Sequence, residues 1–291
     1  MDRSAASVRS FGAQGMVADL HEVLVKRPGT AFGRAFDEPA HGFLRPVDLP
    51  RAQAEHDAFV DVLRDLGVTV QELDVETDDP DLSYTFDASL VTDRGAILLR
   101  SGKPNRRGEE AAHAAWFAAR GIPVLGAIEA PGSVDGGDTF WLDPETLCIG
   151  RTLRTNRTGG EQLAAIWGGV SHAFDVPYGD GPDRLIHLLS LISPVADDLA
   201  VVFLPLLPVG LWELLRERGV ALIEVPPAEF DSLGPNVLAV RPRVVVMASC
   251  NPVTAGRLRA AGCDVHEVEL GEVGGNGSGG PTCLTRPILR G

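Results

Sequence analysis

The chain has 291 residues, 44% hydrophobic and 23% charged, a globular composition that excludes an intrinsically disordered protein. At this length folding buries roughly three quarters of the unfolded surface, so no disulfide or metal staple is needed. Against 26 Lys and Arg stand 40 Asp and Glu, a net charge of −14 that repels phosphate backbones and argues against nucleic acid as a partner.

Residues 1–20 (MDRSAASVRSFGAQGMVADL) carry no apolar core of signal-peptide length and are expected to form a loose tail, with a single domain over 21–291. The most apolar run, 199–211, is too short to span a bilayer and contains Pro205 and Pro208. The expectation is a cytoplasmic chain without membrane contact.

Along the chain a helix–Gly–strand phrase recurs. It turns at Gly67 in VLRDLGVTVQEL, at Gly121 in WFAARGIPVLGAI, at Gly168 in LAAIWGGVSHAFDV, at Gly219 in LLRERGVALIEV and at Gly262 in RLRAAGCDVHEV. Each phrase reads as an amphipathic helix ended by a glycine that can take the left-handed C-cap conformation, then a β-rich run. Two short strand-like runs precede most of the helices: DASLVTD and GAILLR, DTFWLD and TLCIG, NVLAV and RVVVMA. The unit is therefore strand, strand, helix, strand (ββαβ). Spaced at about 43 to 54 residues, the copies fall in the range of repeat architectures. Five of them predict an α/β fold closed into a ring around a central channel. Strand pairs before each helix do not suit a doubly wound sheet.

Cys148, Cys250, Cys263 and Cys283 show no CxxC spacing, which argues against zinc and a disulfide framework. Cys283 follows the glycine-rich run of GGNGSGGPTCLTRP. Such a run lets backbone approach closely, and Pro281 then stiffens it. That suits a nucleophile exposed yet held, and equally a mobile surface loop ending in a thiol. The G-x-G-x-x-G match at Gly275, Gly277 and Gly280 is not a dinucleotide site, because no helix can follow it. His187, in RLIHLLSLI, reads as a core histidine unless Cys283 is a nucleophile in need of a proton shuttle. Asp87 interrupts the apolar run YTFDASLV, and if buried it needs a cationic or hydrogen-bonding partner. Asp135 and Asp138 frame the glycines of SVDGGDTFWL, where a turn alone would account for them. Arg106, Arg107 and Arg154 lie near helix starts, against the helix dipole. A clamp on a carboxylate would explain them, as would simple solvation.

Together these segments resemble the dimethylarginine dimethylaminohydrolase branch of the guanidino-group-modifying superfamily, which also holds arginine deiminases and amidinotransferases. DLSYTFDASL, SGKPNRRGEE, GSVDGGDT, GRTLRTN, IHLLS and GGPTCLT occur in the family's order, and the likeness runs from about residue 24 to 285. It implies a five-bladed α/β propeller of ββαβ units, in agreement with the repeat count. It implies Cys283 as nucleophile, His187 as catalytic histidine and Asp135 as the carboxylate orienting the imidazole or guanidinium. Asp87 would hold the guanidinium, and Asp138, the last residue of the acidic-Gly-Gly-Asp turn, would also contact the substrate. Arg106 and Arg154 would bind the substrate's α-carboxylate, with Asp81 at the pocket entrance. Three positions depart from the family: Asp135 where Glu is usual, Phe86 before Asp87 where the dimethylarginine hydrolases have Glu, and Leu189 where arginine deiminases have Asp. The implied reaction converts a methylated arginine to citrulline and a methylamine through a covalent thiouronium, with Phe86 lining the pocket. Alternatives are amidino transfer, hydrolysis of hydroxyarginine, arginine or citrulline, and a non-catalytic arginine-ligand binder. No metal, flavin or nicotinamide is required. The expected partner is a small guanidino amino acid, with room for a homodimer, and an activated Cys283 should label faster than the other three thiols.

Overall fold

All five helix-ending glycines take positive φ in the computed structural model: Gly67 87°, Gly121 68°, Gly168 74°, Gly219 72° and Gly262 84°. A side chain there would strain the backbone, so each glycine marks where a helix stops and the next strand begins. The structure describes residues 9–179, 181 and 186–291.

The first unit holds β1 (Leu20–Val25), a one-turn helix α1 (Thr30–Gly33), α2 (Leu49–Asp65) and β2 (Thr69–Glu72). The second holds β3 (Ser89–Thr92), β4 (Gly95–Leu98), α3 (Glu109–Ala119) and β5 (Val124–Ala127). The third holds β6 (Thr139–Asp143), β7 (Thr146–Arg151), α4 (Arg157–Trp167) and β8 (Val170–Asp175). The fourth holds β9 (Ile192–Ala196), β10 (Leu199–Val202), α5 (Val209–Glu217) and β11 (Ala221–Glu224). The fifth holds β12 (Leu238–Arg241), β13 (Val244–Ala248), α6 (Pro252–Ala260) and β14 (Asp264–Val268). Last comes β15 (Arg286–Arg290), which returns to β1 with Arg286 opposite Leu24.

Each unit is one three-stranded sheet. The first two strands pair antiparallel through a tight turn, and the third joins the middle strand in parallel after the helix has crossed over. The first sheet has the same pattern once β15 is counted as its opening strand. The fold is the five-bladed α/β propeller that the repeats predict. Inner strands such as β3 and β10 are buried at every position, while the third strands β2 and β5 are half-exposed. Helices cover the blades with one apolar face: α2 buries Ala52, Phe59, Val60 and Leu63 against Val23 and Val25. A fully buried Phe or Leu of this kind contributes roughly 1.5–3 kcal/mol.

Of the expected loose tail, residues 1–8 lie outside the described residues. From Arg9 onward the chain is hydrogen-bonded: Gly12 donates to Ile288 and accepts from Arg290, and the Arg9 guanidinium reaches Asp93 at 2.7 Å. No described helix is long and apolar enough to cross a membrane.

Candidate active site

The sequence-predicted residues fall at equivalent places in the blades. Cys283, Asp87, Asp138 and His187 each lie in the segment just before their blade's first strand, β15, β3, β6 and β9 respectively. Asn236 holds the same place before β12. Arg106 and Arg154 lie between the middle strand and the helix of the second and third blades. Hydrogen bonds run from blade to blade through these segments. Asn236 Nδ2 lies 3.4 Å from Cys283 Sγ, Phe86 N–H donates to Cys283 C=O at 3.1 Å, and Gly137 N–H donates to Asp87 Oδ1 at 2.7 Å. Leu188 N–H then donates to Asp138 Oδ1 at 3.0 Å, and Ser193 Oγ links the fourth blade to the fifth through Pro235 and Val237.

Glycine is required where these segments cross. A Cβ at Gly136 would lie 2.1 Å from the Phe86 carbonyl oxygen. In the loop before Cys283, a Cβ at Gly277 would lie 1.9 Å from the Tyr84 hydroxyl and one at Gly280 2.5 Å from the Asn236 side chain. The run of glycines thus seats the loop against its neighbours, the first of the two readings the sequence allowed. Tyr84 anchors it further by donating to Val273 C=O.

The surroundings of the resting Cys283 thiol favour its protonated form, as they do for the other three cysteines. Burial, and after it the Asp87 charge, push the Cys283 thiol up to about 11, against the Gly280 backbone and Asn236 hydrogen bonds that favour the thiolate. His187 shows the opposite balance. Burial pulls its imidazole down, but Asp138, Asp87 and Asp135 outweigh it, and the net shift is upward from 6.5. Its Nδ1 lies 3.2 Å from Asp138 Oδ1 and its Nε2 4.0 Å from Asp135 Oδ2. The first contact is electrostatic, since it lacks the alignment of a hydrogen bond. Asp138 is fully buried, with Oδ2 taking the hydroxyls of Thr152 at 2.7 Å and Thr155 at 2.6 Å. It therefore stands beside the imidazole, although the turn it closes was expected to contact substrate. Asp135, also fully buried, accepts from Gly102 N–H at 2.9 Å and from Arg154 at 3.3 Å.

Asp87 is buried and anionic. Burial raises its carboxyl, and Arg106, His187 and the Gly137 N–H more than offset this. Arg106 donates to Asp87 Oδ2 at 2.6 Å and grips both oxygens of Glu109 at 2.6 and 2.9 Å. Its remaining contacts are the carbonyls of Asp81 and Tyr84. Arg106 is thus buried and turned to protein acceptors, whereas the side chain of Arg154 is 20% exposed beside Asp135.

Asp81 is buried, with Oδ2 held by Lys103 Nζ at 2.7 Å and His41 Nδ1 at 3.0 Å. Burial raises its carboxyl, but His41, Arg106 and Lys103 bring it down to about 2. Phe86 lies in the core with Phe140, Leu188 and Leu189, 3% exposed, so it offers the site its backbone while its ring packs inward. Among the described residues, two groups of ligand atoms come within 4.8 Å of one another: Asp87, Asp135 and His187, and His41, Asp79 and Asp81. Each already faces a protein cation, Arg106 or Lys103. Sequence reading missed His41, Lys103, Glu109 and Asn236. Of these, Glu109 alone carried a local signal, three residues from Arg106 on the opening turn of α3.

The family model for arginine deiminase matches residues 204–290. The N(G),N(G)-dimethylarginine dimethylaminohydrolase of Streptomyces coelicolor is 29% identical over 252 residues, covering 86% of this chain and 91% of its own length. An arginine deiminase of Listeria welshimeri is 28% identical over 253 residues, covering 72% of this chain and 62% of its own. Among solved structures, DDAH from Pseudomonas aeruginosa complexed with citrulline superposes with a TM-score of 0.78 at 23% identity, over 93% of this chain and 100% of that one. The product-bound N-terminal domain of ArgZ, an arginine dihydrolase from cyanobacteria, gives 0.81 at 19% identity, over 94% and 98%. At such identities these two structures bear on the fold.

Proposed function

On its likeness to the guanidino-group-modifying enzymes over most of its length, we propose that the chain is a cysteine-dependent hydrolase of a guanidino C–N bond. Its proposed substrate is a methylated arginine, converted to citrulline and a methylamine. The observation that carries this reading is the chain of contacts bringing Cys283, Asp87 and His187 from three different blades into one neighbourhood. A pure binder of cations needs the carboxylates but neither the thiol nor the imidazole.

The substrate's guanidinium sits against Asp87, which keeps it charged and planar beside Cys283. That cation offsets the Asp87 charge that holds the thiol protonated, so the thiol loses its proton to solvent as substrate arrives. The thiolate adds to the guanidinium carbon. His187, biased toward its protonated form by Asp138, gives its proton to the departing amine, and the C–N bond breaks to leave a thiouronium on Cys283. Neutral His187 then takes a proton from water as the oxygen adds to the same carbon. The C–S bond breaks, thiolate returns, and the protonated urea of citrulline gives its proton to the amine. Arg154 grips the α-carboxylate and sets the substrate's depth.

A panel of dimethylarginine, monomethylarginine, hydroxyarginine, arginine, agmatine and citrulline tests the reading, with and without an amine acceptor. Turnover of the methylated arginines, lost in Cys283→Ser, is expected. Full activity in Cys283→Ser overturns the mechanism, and turnover only with an acceptor makes the chain a transferase.

A further inference from the structure

Arg286 opens β15, three residues after Cys283, and is 2% exposed. Among the described residues it has no carboxylate within ion-pair distance, Asp87 being the charge that acts on it from further off, and its Nε has no hydrogen-bond partner. A buried guanidinium in that state is costly, and an apolar side chain would fill the same volume without the cost. Its contacts converge on one residue. Nη2 donates to the Phe86 carbonyl, and the guanidinium carbon stands 3.9 Å from the centroid of the Phe86 ring. From the other side, the Phe86 N–H donates to the Cys283 carbonyl at 3.1 Å.

We propose that Arg286 is a positioning residue that clamps Phe86 and so fixes Asp87 relative to the sulfur of Cys283. The Phe86 carbonyl belongs to the peptide plane that carries the Asp87 N–H, so anchoring it sets the direction in which the Asp87 side chain leaves the backbone. The ring contact prevents that plane from rotating, and the Cys283 carbonyl ties it to the nucleophile's own loop. Lysine could donate to the carbonyl, but its ammonium cannot lie flat on the ring while doing so. Phe86, which departs from the family's Glu, then acts as the surface against which the arginine is set. Burial pulls the Arg286 guanidinium down to about 9, still protonated at neutral pH.

The proposal rests on the assignment of Asp87 and Cys283 as the reacting pair, so it is tested by two readouts. The first is turnover by Arg286→Met, Arg286→Lys and Phe86→Leu at saturating and limiting methylated arginine. A fall in kcat of at least tenfold is expected for the methionine and leucine variants. KM should move less than threefold, because Asp87 still meets the cation but presents it off line. The double variant should be no worse than the poorer single one, and lysine should restore part of the loss. The second readout needs no substrate: alkylation of Cys283 by iodoacetamide, followed by mass spectrometry, should quicken at least threefold in both variants as the loop loses its tie. If Arg286→Met does not fold, Phe86→Leu, which keeps apolar volume, decides the matter. A kcat within twofold of wild type in a folded variant, or unchanged alkylation in both, overturns the clamp. Quickened alkylation in a protein that turns over none of the panel overturns the proposed substrate and keeps the clamp.

Discussion

Asp138 places one carboxylate oxygen 3.2 Å from His187 Nδ1 while its other oxygen is held by Thr152 and Thr155. The imidazole is therefore biased toward its protonated form, above 6.5, although burial alone would lower it. A general acid is active when protonated, so kcat should fall as pH rises through the His187 pKa. Asp138→Asn removes the principal charge that raises it. The falling limb should then move to lower pH, and kcat at neutral pH should drop by about 10²-fold, the lower end for lost proton transfer. A kcat profile in both proteins checks this, and an unmoved limb would assign it to another group.

The free thiol of Cys283, pushed up to about 11, should alkylate slowly at neutral pH and quicken toward that value. Asp87→Asn takes away a negative charge that raises the thiol, so the midpoint should come down. A guanidinium ligand should act in the same direction until it blocks access. The pH dependence of iodoacetamide labelling at Cys283 measures all three effects. Fast labelling of the free protein at pH 7 would contradict the burial argument.

Under the proposed function Arg154, partly exposed beside Asp135, is the arginine that would receive the substrate's carboxylate, since Arg106 already pairs with Asp87 and Glu109. Arg154→Ala should raise KM for an amino-acid substrate and cost about 2–5 kcal/mol in kcat/KM. A guanidino amine without the carboxylate should be far less affected. Equal losses for both kinds of substrate would mean that Arg154 acts through Asp135 instead.

These assignments show what the chain makes legible. The blades are readable because each repeats one local pattern, a helix closed by glycine and followed by a strand, and local patterns survive in sequence. Cys283, His187 and Asp87 stood out because each breaks the composition around it. The partners did not. Lys103 and His41 meet at Asp81, and Arg286 meets Phe86, from distant segments with no fixed spacing between them. The same blindness hid the partners of Arg106, which the motif offers as a grip on substrate and the fold turns toward Asp87 and Glu109. Its neighbours come from blade geometry, which no window of sequence contains.

Gly136 has space for nothing larger. A Cβ there would lie 2.1 Å from the Phe86 carbonyl oxygen, which is backbone and cannot swing aside. Gly136→Ala should destabilise the fold by about 1–3 kcal/mol and displace Asp87, whose C=O accepts the Gly136 N–H at 3.1 Å. Chemical denaturation and kcat should both register the change. Wild-type values in both would show that the segments can part without consequence.

Asp81 supplies an acid-sensitive element. Its carboxyl is lowered from 3.8 to about 2 in the folded protein. A group with a depressed folded pKa stabilises above its unfolded value and loses that contribution as pH falls through the folded one. About 2 kcal/mol should therefore be present above pH 4 and vanish toward pH 2. Denaturation midpoints at pH 5 and pH 2.5 should differ more in wild type than in Asp81→Asn.

The pairing of β15 with β1 has a consequence for the order of events during synthesis. The first blade cannot be completed until the last strand leaves the ribosome, and Cys283 lies immediately before that strand. A growing chain therefore holds Asp87, Asp138 and His187 before Cys283, the proposed nucleophile, can be seated, and gains it in the same step that seals the structure. Long-range closure of this kind is slow relative to hairpin formation within a blade. A circular permutant that joins the termini and opens a turn between two other blades would reverse that timing, delivering the thiol early and sealing the molecule elsewhere.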